Sequence, residues 1–220
     1  MMSSDFMYQR RRMVETLVRT YGIKDERVLE AMRNVPRHLF VGEHLRNQAY
    51  GDHALPSEAA QTISQPFVVA RMTELLEVSK QHTVLEIGTG TGYQTAILAR
   101  LAGRVFSLER IGSLARQAIS RIRELGLQNV KIQIFDGTVG WSDAGPFDRV
   151  LVTAGAPSVP EPLLEQLAVG GILVVPEGDL ERQKLVRYQK LRGGGQRRQE
   201  GEPVRFVPLV GRFGWQGESI

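Results

Sequence analysis

The chain of 220 residues is 42% hydrophobic and 24% charged, with 23 glycines and 10 prolines, a balance that supports a sizeable buried core and excludes the disordered and fibrous classes. It has no cysteine, which removes disulfides, thiolate metal sites and a cysteine nucleophile. The formal charge of +4 is uneven: residues 181–212 carry nine Lys/Arg against three Asp/Glu, so the rest of the chain is slightly acidic and the body does not read as a nucleic-acid surface.

Arg10, Arg11 and Arg12 would begin a twin-arginine export signal only if an apolar stretch followed, and Glu15 and Arg19 interrupt it; a cytoplasmic protein with no membrane partner is expected. From Asp5 to about Tyr21 the apolar residues Met13, Val14, Leu17 and Val18 recur at helical spacing, with Gly22 placed to end the helix. A second helix starts from Asp25 as cap, carries Val28, Leu29 and Met32 as its buried stripe, and stops at Pro36. Arg37 to Gln65 is mostly irregular, a length that is uncommon for a loop without a function.

Beyond it, β-branched runs alternate with amphipathic ones. Strands are expected at Thr83–Ile87, Val105–Leu108, Val130–Phe135, Arg149–Thr153 and Gly171–Pro176, and helices at Phe67–Val78, Tyr93–Leu101, Ile111–Leu125 and Pro160–Leu167. The alternation predicts an α/β fold: a doubly wound, mostly parallel sheet with helices on both faces. Lys184–Leu191 and Val204–Val210 follow without an intervening helix and are expected to close it as an antiparallel pair, making seven strands. The run Arg192 to Arg198, with three glycines, reads as an exposed turn or as a short RNA-contacting segment, the turn being favoured by its place between two strands. One domain is expected over 1–220, with 1–65 a helical extension and loop and 66–220 the α/β core.

The strongest signal is Val84 to Ala96, a strand entering the turn Gly88-Thr89-Gly90-Thr91-Gly92 and then a helix. Glycines there let backbone approach a ligand and bring helix N-terminal amides to it. The spacing is G-x-G-x-G, not the G-x-G-x-x-G of dinucleotide sites, and Glu86 lies two residues before the first glycine. A carboxylate so placed repels a pyrophosphate and attracts a cation. Glu109 ends the next strand, 21 residues after Gly88, where an acid accepts hydrogen bonds from both ribose hydroxyls. Asp136 and Gly137 follow the third strand, within reach of an adenine edge. Together they describe a pocket for a nucleoside bearing positive charge, the chemistry of S-adenosylmethionine.

Val84 to Ala96, Val105 to Arg110, Phe147 to Gly155 and Leu167 to Pro176 resemble the successive motifs of class I S-adenosylmethionine-dependent methyltransferases, a Rossmann-like fold. Pro36 to Phe40, Ala49 to Asp52, Ala54 to Pro56, Gln61 to Pro66 and Val204 to Leu209 narrow the resemblance, from about Arg10 to Leu209, to the protein-L-isoaspartate O-methyltransferase family. It departs from the family pattern at Ser57 to Ala60, in the peptide-facing loop, and at Phe135, where the family usually has glycine. The resemblance implies a repair enzyme that methylates the α-carboxylate of L-isoaspartyl residues in damaged proteins and peptides, releasing S-adenosylhomocysteine; the ester then collapses to a succinimide. It makes Ser64 the catalytic position, orienting the substrate carboxylate, and gives Thr62, Ile63, Glu86, Gly88, Thr89, Gly90, Gly92, Glu109, Asp136 and Gly137 to the cofactor. That carboxylate, with a pKa of about 3.5, is already ionised at pH 7 and needs no strong base.

No metal site is expected, because His38, His44, His53 and His82 lack ligand spacing; His38 reads as structural. Trp141 and Trp215 suit either a peptide groove or packing. A monomer that binds no nucleic acid is expected. Rival readings are methylation of another acceptor such as RNA, binding without turnover, and a dinucleotide oxidoreductase, the last opposed by Glu86 and the glycine spacing.

Overall fold

The computed structural model describes residues 2–58 and 61–216. Helix α1 (Met2–Arg19) buries Met13, Val14 and Leu17. Helix α2 (Glu26–Asn34) is capped by the Asp25 carboxylate, which accepts from the Arg27 amide, and buries Val28, Leu29, Ala31 and Met32. It ends at Val35, which is extended because the ring of Pro36 disfavours helical backbone before it. The irregular segment holds two 3-10 turns, Arg37–Leu39 and Glu43–Gln48, and a hairpin of β1 (Leu55–Pro56) with β2 (Thr62–Ile63). Of the departure at Ser57 to Ala60, Ala59 and Ala60 lie outside the described residues.

Helix α3 (Pro66–Leu76) opens on proline, whose missing N–H is no loss at a first helical position. The alternating part follows as β3 (Thr83–Ile87), α4 (Tyr93–Leu101), β4 (Arg104–Glu109), α5 (Gly112–Glu124) and β5 (Val130–Ile134). The chain then returns through β6 (Phe147–Val152), α6 (Glu161–Glu165) and β7 (Leu167–Gly178), and ends its sheet with β8 (Gln183–Lys190) and β9 (Gln196–Val204). The seven strands lie in the order β5-β4-β3-β6-β7-β8-β9, parallel through β7 and antiparallel beyond. Winding starts at β3, runs outward to β5 and resumes on the other side of β3, which leaves a crevice at the carboxyl end of that strand.

Side chains on the parallel strands alternate between two cores. Val84, Val105, Leu151 and Val174 face the larger one, built with α1 to α4; Leu85, Ile87, Val150 and Val152 face the smaller one with Leu163 of α6. Both faces of the central strands β3, β6 and β7 are thus buried, and these strands read as apolar runs, whereas the edge strand β5 is largely exposed. Within this fold His38 stacks on Phe6 at 4.2 Å and pairs with the Tyr50 hydroxyl at 2.7 Å, while Trp141 packs edge-on against Phe106 at 5.2 Å.

Two expected elements are corrected. The helix placed at Pro160–Leu167 is only Glu161–Glu165, because the sheet takes the following residues: the Phe147 amide donates to the Gln166 carbonyl at 2.8 Å, and Leu167 pairs with Phe147. The last strand is Gln196–Val204 instead of Val204–Val210. Gly193, Gly194 and Gly195 turn the chain so tightly that pairing resumes at Gln196, opposite Lys190. Residues 205–216 form a strap across the carboxyl ends of the strands. Arg197 and Arg198 therefore belong to a strand, and Arg198 pairs with Glu177 and Glu200.

Candidate active site

At the crevice, β3 gives way to the glycine turn, whose backbone only glycine adopts freely. Gly88 has φ 94°, and a Cβ on it would lie 2.5 Å from the Thr153 hydroxyl, on β6's continuation. The turn, from Gly88 to Thr91, floors a cleft with about 900 Å³ of empty space, its open mouth included. Gln61, Thr62, Ile63 and Ser64 form one wall; Glu109, Arg110 and Ile111 form another, with Gly137 beside them; Phe206 to Val210 of the strap face the cleft as well.

Glu109 is almost buried. Its Oε2 accepts from the Gly90 amide and its Oε1 from the Ile111 amide, both at 2.9 Å. Each oxygen keeps a second lone pair, so the group is an oriented double acceptor beside the turn. The same bond fills the Gly90 amide with a negative charge, where a dinucleotide site would offer that amide to phosphate.

Several expected site residues lie elsewhere. Glu86 is fully buried beneath the turn, on the side of β3 that Val84 shares, and does not line the cleft. Its Oε2 accepts from the Thr95 and Ser107 hydroxyls, each at 2.6 Å, while Oε1 has no hydrogen-bond partner among the described residues. Burial pushes its pKa up to about 8, against the lowering effect of those two hydroxyls, which favours the protonated form at neutral pH. Gly92 is the residue before α4, with φ 91°, and backs onto Ala118 and Phe40. The Asp136 carboxylate turns away as well: Oδ1 accepts from the Thr138 amide and hydroxyl, and Oδ2 from the Arg212 amide at 2.8 Å. It caps a short turn and ties down the strap, leaving Gly137 at the cleft. Phe135, the other departure, continues the β5 edge, its amide donating to the Glu109 carbonyl at 3.1 Å.

Ser64 sits between β2 and α3, facing the glycine turn across the cleft. Its neighbour Gln65 donates to the Asp52 carbonyl and carboxylate at 3.1 and 3.0 Å, and the Asp52 carboxylate accepts from the Tyr21 hydroxyl. Among the residues that sequence reasoning gave no role are Tyr93, at the start of α4, and Arg37 behind Ser64; Arg37 stood only inside a segment of resemblance. The strap was missed because its contribution is backbone. Gly155 donates to the Val207 carbonyl and accepts from the Leu209 amide, both at 2.8 Å, and the Trp215 indole N–H donates to the Gly155 carbonyl at 3.0 Å. Trp215 thus pins the strap.

Against known proteins, residues 8–214 match the family model for protein-L-isoaspartate(D-aspartate) O-methyltransferase. Protein-L-isoaspartate O-methyltransferase of Geobacter metallireducens is 55% identical over 215 residues, covering 98% of this chain and 100% of its own. A solved structure entitled protein-L-isoaspartate O-methyltransferase superposes with a TM-score of 0.84 at 29% identity, over 93% of this chain and 67% of the other. A second, a putative protein-L-isoaspartate O-methyltransferase from Plasmodium falciparum in complex with S-adenosyl-L-homocysteine, gives 0.77 at 25% identity, over 91% and 98%. The matched span takes in most of the first helix, the Ser64 segment and the strap as far as Gly214, and the chain belongs to the protein-L-isoaspartate(D-aspartate) O-methyltransferase family.

Proposed function

We propose that the chain performs the reaction for which its relatives are named, the transfer of a methyl group from S-adenosylmethionine to the α-carboxylate of L-isoaspartyl residues in damaged proteins. The observation that carries this is the match over residues 8–214, which includes both Ser64 and Glu109. The residues fit the cofactor: Glu109 offers two oriented acceptors for a ribose diol, and the glycine turn admits a ligand to backbone contact. Thr62, Ile63 and Gly88 to Gly90 would hold its remainder, with Gly137 beside the base. When bound, S-adenosylmethionine supplies an electrophilic methyl group on a positively charged sulfur.

The work left to the protein is placement. The substrate carboxylate, with a pKa of about 3.5, is ionised at neutral pH and is itself the nucleophile, so no side chain need remove a proton. Ser64 donates its hydroxyl to one carboxylate oxygen and orients the other toward the methyl group. The Thr62 to Ser64 wall and the strap exclude water, which would otherwise solvate the carboxylate and blunt it. Arg198 is committed to Glu177 and Glu200, which favours a protein acceptor over a nucleic acid. A cytoplasmic monomer is part of the same reading.

The test uses purified protein, methyl-labelled S-adenosylmethionine and two peptides differing only in L-isoaspartate or L-aspartate. Base-labile label on the isoaspartyl peptide alone is expected; label on neither, with the cofactor bound, overturns the assignment.

A further inference from the structure

The segment that delivers Ser64 is held from behind by a buried cation. Arg37, on the first 3-10 turn, is 0% exposed, and among the described residues no carboxylate pairs with it. Its Nε donates to the Ala49 carbonyl and its Nη2 to the Ser64 carbonyl, both at 2.7 Å. The guanidinium carbon lies 4.8 Å from the centre of the Tyr93 ring. Burial lowers the Arg37 pKa, with Tyr93 and Tyr50 opposing. Burying an uncompensated charge is costly, and an apolar side chain of similar volume would fill the space without that cost. What such a side chain lacks is a planar fork able to grip two carbonyls at once.

That grip joins two sides of the cleft. Tyr93 opens α4 immediately after the glycine turn, and Ser64 ends the opposite wall; both line the cleft, and the guanidinium touches both. We propose that Arg37 is a positioning residue for methyl transfer, clamping the Ser64 carbonyl against Ala49 and Tyr93 so that the Ser64 hydroxyl keeps a fixed place opposite the glycine turn. The inference rests on the reaction assigned above and adds to it a residue that touches neither substrate nor cofactor.

The test is a double-mutant cycle of Arg37→Lys with Ser64→Ala, read as kcat and KM on the isoaspartyl peptide, beside S-adenosylhomocysteine affinity and amide hydrogen exchange over residues 61–65. Arg37→Lys is expected to lower kcat about 10²-fold, the cost of a small misplacement, with KM and cofactor affinity nearly unchanged. In the Ser64→Ala background the same change should cost no more than about threefold, because coupled residues are not additive. Exchange over 61–65 should rise while α4 stays protected. Arg37→Met, which keeps the stem and removes the buried charge, serves if the lysine variant does not fold. Additive losses, unchanged exchange, or cofactor affinity falling in step with kcat overturn the proposal. If the wild type methylates no isoaspartyl peptide, the assigned reaction fails, and the exchange measurement alone decides whether Arg37 holds the Ser64 segment.

Discussion

Replacing Glu86 by glutamine separates two accounts of this residue. A charged glutamate contacting the cofactor would make Glu86→Gln a binding defect. The structure instead buries the group, with a pKa raised from 4.5 to about 8, so glutamine mimics the protonated form that burial favours and keeps an oxygen for the Thr95 and Ser107 hydroxyls. The sign follows from proton linkage. A carboxyl that binds its proton more tightly when folded stabilises the protein at low pH, and that contribution declines from about pH 4.5 until the group has ionised above pH 8. Between pH 7 and 9 the remaining decline is on the order of 1 kcal/mol, or about 2–4 °C in Tm for a chain of this size. The assay is thermal unfolding of both proteins across that range, with S-adenosylhomocysteine affinity measured at pH 7. Wild type should lose this increment relative to Glu86→Gln, and the variant should bind the cofactor product within about threefold of wild type. A stability difference independent of pH, or a collapse of affinity, would refute the reasoning.

Ser64→Ala should lower kcat by about 10²-fold, the usual cost of one oriented donor at a reacting group, with S-adenosylhomocysteine affinity unchanged by calorimetry. Glu109→Gln removes a charged acceptor and sets an amide N–H against the Gly90 or Ile111 amide; the dissociation constant for S-adenosylhomocysteine should rise at least about tenfold, the equivalent of one charge-assisted hydrogen bond. Gly211→Ala would drive a methyl group into the Asp136 carboxylate and should cost about 1–3 kcal/mol by denaturant unfolding, while raising KM for the peptide. A wild-type KM in that variant would mean that the strap does not shape the substrate end of the cleft.

Much of this architecture was legible because parallel strands buried on both faces announce themselves as apolar runs, and because Gly22, Asp25 and Pro36 punctuate the first two helices. The limits have specific physical origins. Gln196 to Val204 is a polar edge strand; its pairing is fixed by the glycine hairpin and by backbone bonds, neither of which leaves a hydrophobic period. Glu86 lies close to the turn in sequence, but its side chain follows the two-residue alternation of β3 and so falls on the Val84 face, under the turn. Asp136 was read by its distance from a strand end, whereas an Asp followed by Gly and Thr also suits a local cap, the role its carboxylate takes here. Ser64, Thr62, Ile63, Gly88 to Gly90, Glu109 and Gly137 do converge on one cleft. Arg37 could not be found by charge alone, since nothing in a sequence distinguishes a buried arginine from the exposed ones.

The strap has a consequence for how the protein is made and broken. Its anchors, Gly155, Asp136 and Thr138, belong to the preceding sheet and turns, and the wall they support is supplied by residues 206–210, after the last strand. During synthesis every strand has therefore emerged before the cleft can be enclosed. A chain cut after Val204 would retain all seven strands and most of both cores while lacking that wall, so a protease nick there, or a premature stop, would separate folding from activity: a product that passes as native by its compactness and cannot shield its own chemistry from water.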